Sequence, residues 1–572
     1  MKNMDVVAML EEFADLKEIA GETIFRIRAY RTAAEAIGRM GEAIETITAA
    51  GKLTEIDGVG MSLAKKITEF LDTGRVRDLE KLHESVPPSL RTLLNVPEMG
   101  PKSVKLVHDD LGIIDLDGLE TAAKSGSLRN LPRMGIKTEE NIIRGIEVLR
   151  SAAGRMRIDI AMSVSNAIIA MLKPMQEVKK ILAAGSLRRM KETIGDIDIL
   201  VATTNGTPIM DRFVKLEEVT DVLAHGPTKS SIRFEKEGKT IQVDMRTVEP
   251  DSFGAAAQYF TGSQEHNVAL RQHALQLGLT LNEYGIFKVA NGQIIAGSDE
   301  ESVYKTLKMD WIPPEIRENW GELEWALNGQ LPELVAEKDI LGDLHMHTNW
   351  SDGQQPIEQM VAACKKWGHQ FCAITDHSPP LAWGVKPPEF KKELKEIRAV
   401  AQQAEIEVLA GIEVDIQPDG SLGMPDSILK ELDIVIASVH SSMKMDQEQM
   451  TKRILTALHN PYVTVLGHPT GRLIGQREPY EVDLPQIISI AKEKNIFLEI
   501  NAAPQRLDLC GEHAHLCREA GVKVTINTDA HHEAHLNFMQ YGVSMARRGG
   551  LEASDVINTF APKQLRQLIR RS

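Results

Sequence analysis

The chain has 572 residues, which predicts about four folding units and excludes a single small module. Its 66 Lys and Arg against 81 Asp and Glu give a formal net charge of −15, so it is not a basic coat protein and must use local basic patches for any contact with nucleic acid. No apolar run approaches the ~20 residues of a membrane helix, and the start carries no signal-peptide pattern. The four cysteines form no CxxC pair, and we expect a soluble protein of a reducing cytoplasm.

Residues 1–150 have a helical pattern in which one glycine-containing phrase occurs three times. Each copy predicts a helix, a tight glycine hairpin and a second helix with exposed N–H groups, which can hold a phosphate. One copy is more often only a turn, but three copies resemble helix-hairpin-helix elements, which grip the DNA backbone without reading its sequence. The candidate DNA-binding residues are Gly58, Gly60, Lys65, Lys66, Gly100, Lys102, Lys105 and Gly135.

Short apolar strands are predicted from about Ile181, and helices from Gly254 to Trp311. Within the strand region Asp196 and Asp198 are two residues apart, a spacing that points both carboxylates to one face of a strand.

A second strand offers Asp244 in the same way. Three carboxylates on neighbouring strands are what a two-magnesium phosphoryl-transfer site requires. An isolated pair is more often a solvated strand edge, but the small-residue turn at Gly185 and Ser186 and the cations Arg188 and Arg189 suit a triphosphate and favour a catalytic site.

The phrases GSLRR, GDIDIL, VDMR, YFTGS and LNEYG occur in this order, and residues 1–320 resemble the family X DNA polymerases of the DNA polymerase beta kind. The resemblance implies that Asp196, Asp198 and Asp244 bind the catalytic Mg²⁺ ions, with Asp244 near the primer 3′-hydroxyl. It implies that the nucleotide's phosphates are held by Gly185, Ser186 and Arg189, its sugar by Tyr259, Phe260 and Gly262, and the minor groove of the nascent pair by Asn267 and Arg271. Gln242 and Gln264 depart from the family pattern, which we expect to alter nucleotide affinity more than the reaction.

Lys66 lies where the animal repair polymerase of this family has its Schiff-base lysine for removing 5′-deoxyribose phosphate. The accompanying positions are partly kept, since Arg26 and Tyr30 are present but Ser62 and Asp78 replace lysines. Lyase activity and a plain phosphate contact both stay open for Lys66.

Twelve of the 17 histidines lie after residue 340, where short β-branched runs alternate with helix-length segments, as in a parallel barrel. A lone histidine at a strand end is more often a core residue. Nine polar residues at the ends of successive strands instead favour a polynuclear site for Mn²⁺, Zn²⁺ or Fe at the barrel mouth. The nine are His345, His347, Asp352, His377, Glu413, His440, His468, Asp529 and His531.

This set resembles the polymerase and histidinol phosphatase (PHP) domain, a distorted seven-stranded barrel, over residues 340–572. The resemblance implies up to three ions, and Arg472 is the candidate phosphate contact. The implied ligand groups are His345, His347, Glu413 and Asp529; Glu413, His440 and His468; and Asp352, His377 and His531.

The predicted fold is therefore multidomain, with a helical helix-hairpin-helix region, an α+β nucleotidyltransferase palm, an α/β thumb and a C-terminal distorted (β/α)7 barrel. The predicted domains are 1–85, a helical DNA-end or lyase-like domain; 86–150, a second helix-hairpin-helix subdomain; 151–250, the palm; 251–328, the nucleotide-selection subdomain; 329–339, a linker; and 340–572, the PHP domain.

The chain as a whole resembles a bacterial family X DNA polymerase with a fused phosphoesterase. The implied function is template-directed filling of short gaps in base excision repair, together with a metal-dependent 3′–5′ exonuclease in the C-terminal domain. Cutting at abasic sites is a weaker alternative. The expected partners are gapped or nicked DNA and dNTPs, with Mg²⁺ in the palm, Mn²⁺ or Zn²⁺ in the barrel and no membrane. We expect a monomer in the bacterial cytoplasm, associated with the nucleoid. Two other functions stay open: a DNA-end scaffold with an inactive site, and a barrel that is a small-molecule phosphatase.

Overall fold

The computed structural model describes residues 3–38, 43–56, 58–94, 96, 98–132, 134–152, 155–236 and 239–570. The chain divides into two compact units, residues 1–153 and residues 154–572. Among the described residues, every helix is too short or too polar to span a membrane.

The first unit consists of helices joined by short turns. They are α1 Asn3–Ala20, α2 Ile24–Gly38, α3 Ile44–Ala49, α4 Met61–Thr73, α5 Arg77–Ser85, α6 Leu90–Leu93, α7 Pro101–Leu111, α8 Leu116–Lys124 and α9 Ile136–Ala152. Apolar residues one turn apart, such as Leu63 and Ile67 of α4, enter one shared core. The prediction of a helical region over residues 1–150 is confirmed.

Each predicted glycine hairpin places a glycine directly before a helix. Gly60 precedes α4, Gly100 precedes α7 and Gly135 precedes α9. In the first hairpin Gly58 has a φ of +75°, and a Cβ at this position would lie 2.8 Å from the backbone nitrogen of Ala33, so the turn requires glycine. Three further hairpin residues lie outside the described part of the chain: Asp57, Pro97 and Arg133.

The second unit begins with a segment of strands and helices. The elements of this segment are β1 Met156–Arg157, α10 Ile158–Leu172, β2 Lys180–Ala183, α11 Gly185–Arg188, β3 Thr193–Ile194, β4 Asp196–Ala202, α12 Thr207–Phe213, β5 Val219–His225, β6 Lys229–Lys236 and β7 Lys239–Val248. Five of the strands form a sheet in the order β2-β4-β7-β6-β5, in which β4 and β7 are parallel neighbours. Ile197, Ile199 and Val201 of β4 enter the core, so Asp196 and Asp198 emerge on the opposite face of the strand.

The next segment mixes helices with a small antiparallel sheet. Its elements are α13 Phe253–Thr261, α14 Gln264–Gln276, β8 Leu279–Asn282, β9 Gly285–Lys288, β10 Ile294–Ala296, α15 Glu300–Thr306 and α16 Glu322–Leu327. The prediction of helices from Gly254 to Trp311 is therefore wrong for residues 279–296, where β8, β9 and β10 pair. Each of these strands has only three or four residues, too few for an alternating pattern to stand out.

The C-terminal part forms a parallel sheet whose seven strands follow one another in chain order. Its elements are β11 Gly342–Asp343, α17 Ile357–Lys366, β12 Phe371–Ile374, α18 Pro387–Gln403, β13 Glu407–Asp415, α19 Asp426–Leu429, β14 Ile434–Ser438, α20 Gln447–Leu458, β15 Val465–Leu466, α21 Leu484–Lys494, β16 Phe497–Asn501, α22 Gly511–Ala520, β17 Val524–Asn527, α23 Met539–Arg548 and α24 Pro562–Ile569. A parallel bridge from Met346 to Ala530 joins the two edge strands just beyond their ends. The predicted seven-stranded barrel is confirmed.

The segment predicted as a linker, residues 329–339, packs against this barrel. Leu334 pairs with Glu552, and the N–H of Val335 donates to the carbonyl of Leu551 at 2.9 Å. The side chain of Val335 is fully buried. Leu334 and Val335 therefore fasten the predicted linker to the segment that follows α23.

Candidate functional sites

The three palm carboxylates lie on two neighbouring strands. Asp198 of β4 and Asp244 of β7 are direct partners in the parallel register, and Asp196 precedes Asp198 by two residues. The turn before them approaches closely, since a Cβ on Gly185 would lie 2.3 Å from Oδ2 of Asp198 and the φ of Gly185 is +60°. Only glycine allows this approach.

Burial and mutual repulsion act together on the carboxylates of this group. Burial, together with the charges of Asp196 and Asp244, raises the pKa of Asp198 to about 7. Lys229 Nζ lies 3.3 Å from Oδ2 of Asp244, whose Oδ1 accepts a hydrogen bond from Gln242 Nε2 at 2.9 Å. A divalent cation would relieve the remaining repulsion, and carboxylate oxygens are the ligands that Mg²⁺ prefers. The donor set fits the predicted metal.

A cavity of about 850 Å³ extends from Asp196 and Asp198 to α13 and α14. Two cations in its lining, Arg155 and Lys191, belong to none of the phrases that carried the sequence prediction. The lining also contains Asp196, Asp198 and all eight predicted nucleotide-binding residues: Gly185, Ser186, Arg189, Tyr259, Phe260, Gly262, Asn267 and Arg271.

The two adjacent arginines of the turn have different surroundings. Arg188 donates to Oγ1 of Thr261 at 2.7 Å and to Oε1 of Glu300 at 2.9 Å, so it ties the palm to the following helices. Arg189 lines the cavity, donates to the carbonyl of Thr261 and has its Nε 3.3 Å from Oε1 of Glu318. Of the two cations expected to suit a triphosphate, the cavity therefore contains Arg189.

The far wall of the cavity is held by hydrogen bonds between α13 and α14. Nδ2 of Asn267 donates to the carbonyl of Tyr259 at 2.8 Å, and its Oδ1 accepts from Nε2 of Gln258 at 2.7 Å. The guanidinium of Arg246 lies 4.8 Å from the ring centroid of Phe260. These contacts fix the side chains predicted to face the sugar and the base pair.

In the barrel, Glu413 stands at the centre of the predicted ligands. Its Oε2 lies 3.4 Å from Nε2 of His345 and 2.8 Å from Nδ1 of His377. Its Oε1 lies 3.3 Å from Nε2 of His440 and 2.9 Å from Nε2 of His468. All five residues follow or end barrel strands, and the structure brings them together at the carboxyl end of the sheet.

The remaining four predicted ligands complete the cluster. Oδ1 of Asp529 lies 3.0 Å from Nε2 of His347, and Asp352 lies 3.6 Å from Nε2 of His377 and 3.3 Å from Nε2 of His531. His347 and His377 each belong to two of the three donor groups in the structure, whereas the resemblance implied that each of them binds one ion. The groups with donor atoms within 4.8 Å of one another are His345, His347 and Asp529; His377, Glu413 and His440; and His347, Asp352, His377 and His531.

Several ring nitrogens here are buried and lack a hydrogen-bond partner among the described residues. They are Nε2 of His345 and His440 and Nδ1 of His347, His377 and His468. Leaving so many buried polar atoms unpaired is costly unless cations take them. Imidazole nitrogens combined with carboxylates suit Mn²⁺, Zn²⁺ or Fe, so the donor set fits the predicted centre.

An outer layer of acidic and amide groups orients the ligands. Nδ1 of His345 donates to Glu499 at 2.7 Å, and Nδ2 of Asn501 donates to Oδ2 of Asp529 at 3.0 Å. Burial lowers the pKa of His345, but Glu499 and Glu413 more than offset this and hold the pKa above its ordinary value. Such partners fix which ring nitrogen faces a metal.

The phosphate contact expected at Arg472 has a different environment. Its Nε donates to the carbonyl of Arg506 at 2.8 Å, a second nitrogen donates to the carbonyl of Leu507, and it lies 3.6 Å from Glu192 of the palm. Arg506 instead approaches the cluster, with Nε 3.4 Å from Oδ2 of Asp529 and a buried Nη1 that has no hydrogen-bond partner in the described chain. No motif singles out Arg506, because its approach depends on the course of the loop after β16.

The lysines of the first unit also fall into two groups. Lys65, Lys102 and Lys105 are exposed beside their hairpins, where a phosphate can reach them. Lys66 forms an ion pair with Asp78, one of the residues that replaces a lysine of the family pattern. The ammonium of Lys66 is therefore already paired with a carboxylate of the same chain.

Four family models match the chain. They are a helix-hairpin-helix domain at residues 1–76, a SAM-like helix-hairpin-helix tandem at 90–147, a DNA polymerase beta thumb at 256–318 and a PHP domain at 343–503. Each match falls on the part of the chain where the sequence predicts that kind of domain.

The chain also resembles curated proteins. It is 37% identical over 575 residues to the DNA polymerase/3′-5′ exonuclease PolX of Bacillus subtilis (strain 168), with 100% of both chains covered. It is 31% identical over 233 residues to a probable phosphatase of Thermoanaerobacter sp. (strain X514), covering 39% of this chain and 91% of that protein. A probable phosphatase of Caldanaerobacter subterraneus is 33% identical over 202 residues, covering 33% of this chain and 75% of that protein. The full-length identity, with the thumb and PHP matches, shows that the chain belongs to the PolX family, the family X DNA polymerases with a C-terminal PHP domain.

Proposed function

We propose that this protein is a template-directed DNA polymerase that fills short gaps in DNA repair, and that its PHP domain is a metal-dependent 3′–5′ exonuclease. The observation that carries the proposal is that Asp196 and Asp198 line one cavity together with the eight nucleotide-binding candidates, while Asp244 pairs with Asp198 on the neighbouring strand. The name of the full-length PolX relative joins the same two activities.

In the palm, Asp196, Asp198 and Asp244 would hold Mg²⁺ ions, which when bound offset the charge that develops on the attacking and leaving oxygens. Arg189 and the turn at Gly185 hold the triphosphate. The primer 3′-hydroxyl gives its proton to the carboxylate of Asp244, and the 3′-oxygen bonds to the α-phosphorus. The bond from that phosphorus to the β-phosphate oxygen breaks, and pyrophosphate leaves.

In the barrel, the nine ligands would hold up to three Mn²⁺ or Zn²⁺ ions, which when bound activate water and polarise a phosphoester. Hydrolysis joins the water oxygen to the terminal phosphorus and breaks its bond to the 3′-oxygen. The shortened primer keeps that oxygen as a protonated 3′-hydroxyl, and a nucleoside monophosphate is released. We assign the phosphate contact to Arg506 in place of Arg472, because its guanidinium adjoins Asp529 and keeps an unpaired nitrogen.

The substrates we propose are gapped or nicked DNA and dNTPs, bound by a monomer that acts on nucleoid DNA in the cytoplasm. The three glycine-preceded helices and the exposed Lys65, Lys102 and Lys105 support backbone contacts that do not depend on sequence. Removal of 5′-deoxyribose phosphate by Lys66 is the less favoured extension, because its ammonium is paired with Asp78.

The test is a gapped duplex whose primer carries a 5′ label, incubated first with Mg²⁺ and then with Mn²⁺. With dNTPs we expect extension across the gap, and without dNTPs we expect shortening of the primer from its 3′ end. If the protein binds the duplex but neither extends nor shortens the primer, the proposal is wrong and a DNA-end scaffold is favoured.

A small-molecule phosphatase is a second candidate for the barrel, because the two partial-length relatives are named probable phosphatases. Comparing the hydrolysis of a labelled primer 3′ end with that of a small phosphomonoester separates the two functions. A large preference for the phosphomonoester would replace the exonuclease in the proposal and leave the polymerase untouched.

A further inference from the structure

One side chain of the barrel contacts the backbone of Arg189, which lines the nucleotide cavity of the palm. Arg548, near the end of α23, is 1% exposed, and its Nη1 donates to the carbonyl of Arg189 at 2.8 Å. The same nitrogen donates to Oε1 of Glu318 at 3.0 Å. A residue of the barrel therefore holds both the backbone of a nucleotide-binding arginine and the carboxylate paired with its side chain.

Glu318 is shared by three cations. Its Oε1 lies 3.3 Å from Nε of Arg189, 3.3 Å from Nζ of Lys191 and 3.0 Å from Nη1 of Arg548. Arg189 and Lys191 line the cavity. The triphosphate of an incoming dNTP must therefore compete with Glu318 for both of these cations. Glu318 is only 9% exposed, so its attraction for each partner is weakly screened by solvent.

Arg548 changes the outcome of this competition. It neutralises Glu318 from the side of the barrel and fixes the carbonyl of Arg189. Without it, the carboxylate would be left with Arg189 and Lys191 alone and would hold them more tightly against an incoming phosphate.

We propose that Arg548 is a positioning residue of the polymerase reaction, which keeps Arg189 and Lys191 available to the phosphates of the incoming nucleotide. It acts through Glu318 and the Arg189 backbone and does not touch the substrate. This inference rests on the proposed polymerase function. It gives the PHP domain a part in nucleotide binding that is separate from hydrolysis.

The neighbouring residue provides a matched control. Nε of Arg547 lies 2.8 Å from Oε1 of Glu315, and its Nη1 donates to the carbonyl of Val335 at 3.0 Å. Arg547 thus links the barrel to the preceding segment as Arg548 does, but no contact joins it to Arg189 or Glu318 in the described structure. Loss of a link between domains and loss of positioning can be separated by comparing the two arginines.

The experiment measures KM for the dNTP and kcat with the full-length protein on a one-nucleotide gap. Arg548→Met should raise KM about tenfold and change kcat less than about twofold, since ground-state and transition-state binding are weakened together. Arg547→Met should leave KM unchanged, and both variants should keep primer shortening. An unchanged KM in Arg548→Met, or an equal rise in both variants, overturns the proposal.

A second pair of variants tests the same idea if Arg548→Met fails to fold. Arg548→Lys keeps the charge and should stay within about threefold of the original KM. Glu318→Gln removes the competing carboxylate and should lower KM. Where Arg548→Met folds, adding it to Glu318→Gln should raise KM by much less than tenfold, because only the contact with the carbonyl of Arg189 is then lost. A rise in KM in Glu318→Gln alone would show that Glu318 helps nucleotide binding, which contradicts the proposal. Failure of the unaltered protein to extend any primer would overturn the proposed function, whereas normal extension with insensitive KM overturns only this inference.

Discussion

The palm and the barrel both gather carboxylates, but they surround them differently. The palm offers three carboxylates beside an open cavity of about 850 Å³, and the described residues that line it include no histidine. The barrel combines three carboxylates with six histidines, and four of these nine side chains, those of His345, His347, Glu413 and His468, are at most 1% exposed.

This difference indicates two ways to hold a cation. Oxygen ligands beside an open cavity suit Mg²⁺, which keeps some of its water and shares its coordination with substrate phosphates. Nitrogen ligands in an enclosed site suit transition metals, and the acidic partners behind the rings, such as Glu499 behind His345, supply the compensating charge. We therefore expect the palm to fail when one carboxylate is lost and the barrel to be sensitive to metal identity.

The largest expected effect comes from Asp198→Ala. Loss of this carboxylate should reduce nucleotide addition by roughly 10³-fold or more, because it removes a ligand of the Mg²⁺ ions that stabilise the charge of the transition state. Primer shortening should change less than about twofold, since its ligands lie in the barrel. Asp221→Ala on β5 removes an exposed carboxylate from the same sheet and serves as the control. Extension that survives within a few-fold would place the polymerase metals elsewhere.

The next effect tests the barrel. Replacing both His345 and His347 with alanine should lower primer shortening by roughly 100-fold or more and spare extension. Both reactions are measured on one gapped substrate, with the exposed His459→Ala as the control. If the double variant still shortens primers at the original rate, the exonuclease is not in the barrel.

A smaller effect separates the two sites by metal. Exchanging Mg²⁺ for Mn²⁺ should raise the rate of shortening by about tenfold and that of extension by less, because imidazole nitrogens prefer the softer ion. The rates are compared at equal free metal concentration. Equal stimulation of both reactions would remove the contrast between the oxygen and nitrogen sites.

The sequence predicts most of this architecture because the pattern that forms an element is local. The strand β4 alternates buried isoleucines with Asp196 and Asp198, and the barrel strands are apolar runs that end in ligands. The strands β8 to β10 were beyond such prediction, because three or four residues carry too little periodicity.

The parts of the sites that the sequence does not predict depend on distant segments. Arg548 and Glu318 are 230 residues apart, and nothing local to either residue indicates that they meet. The loop after β16 turns Arg506 toward Asp529, while Arg472, which the spacing after His468 favours, is held by backbone carbonyls. A motif identifies ligands that end strands, but it does not identify a lone cation whose position is set by tertiary packing.

The smallest effect concerns a buried carboxyl of the barrel for which the described part of the chain provides no hydrogen-bond donor. Glu393 of α18 is fully buried, and burial together with the charge of Asp376 raises its pKa to about 11. It is therefore protonated in the folded protein at neutral pH, whereas in the unfolded chain it ionises above about pH 4.3. Because the folded pKa is the higher one, its contribution to stability is lost progressively as pH rises from that value toward 11.

Glu393→Gln removes this proton uptake while keeping a side chain of the same shape. The variant should therefore gain stability over the original protein as pH rises, by about 1 kcal/mol between pH 6 and pH 7. Thermal unfolding followed by circular dichroism at both pH values measures this gain. Glu396→Gln, three residues along the same helix and hydrogen-bonded to Trp350, is measured beside it as the matched control. If the two variants respond to pH alike, Glu393 is ionised in the folded protein. A cation must then offset its negative charge, as we expect for Asp198.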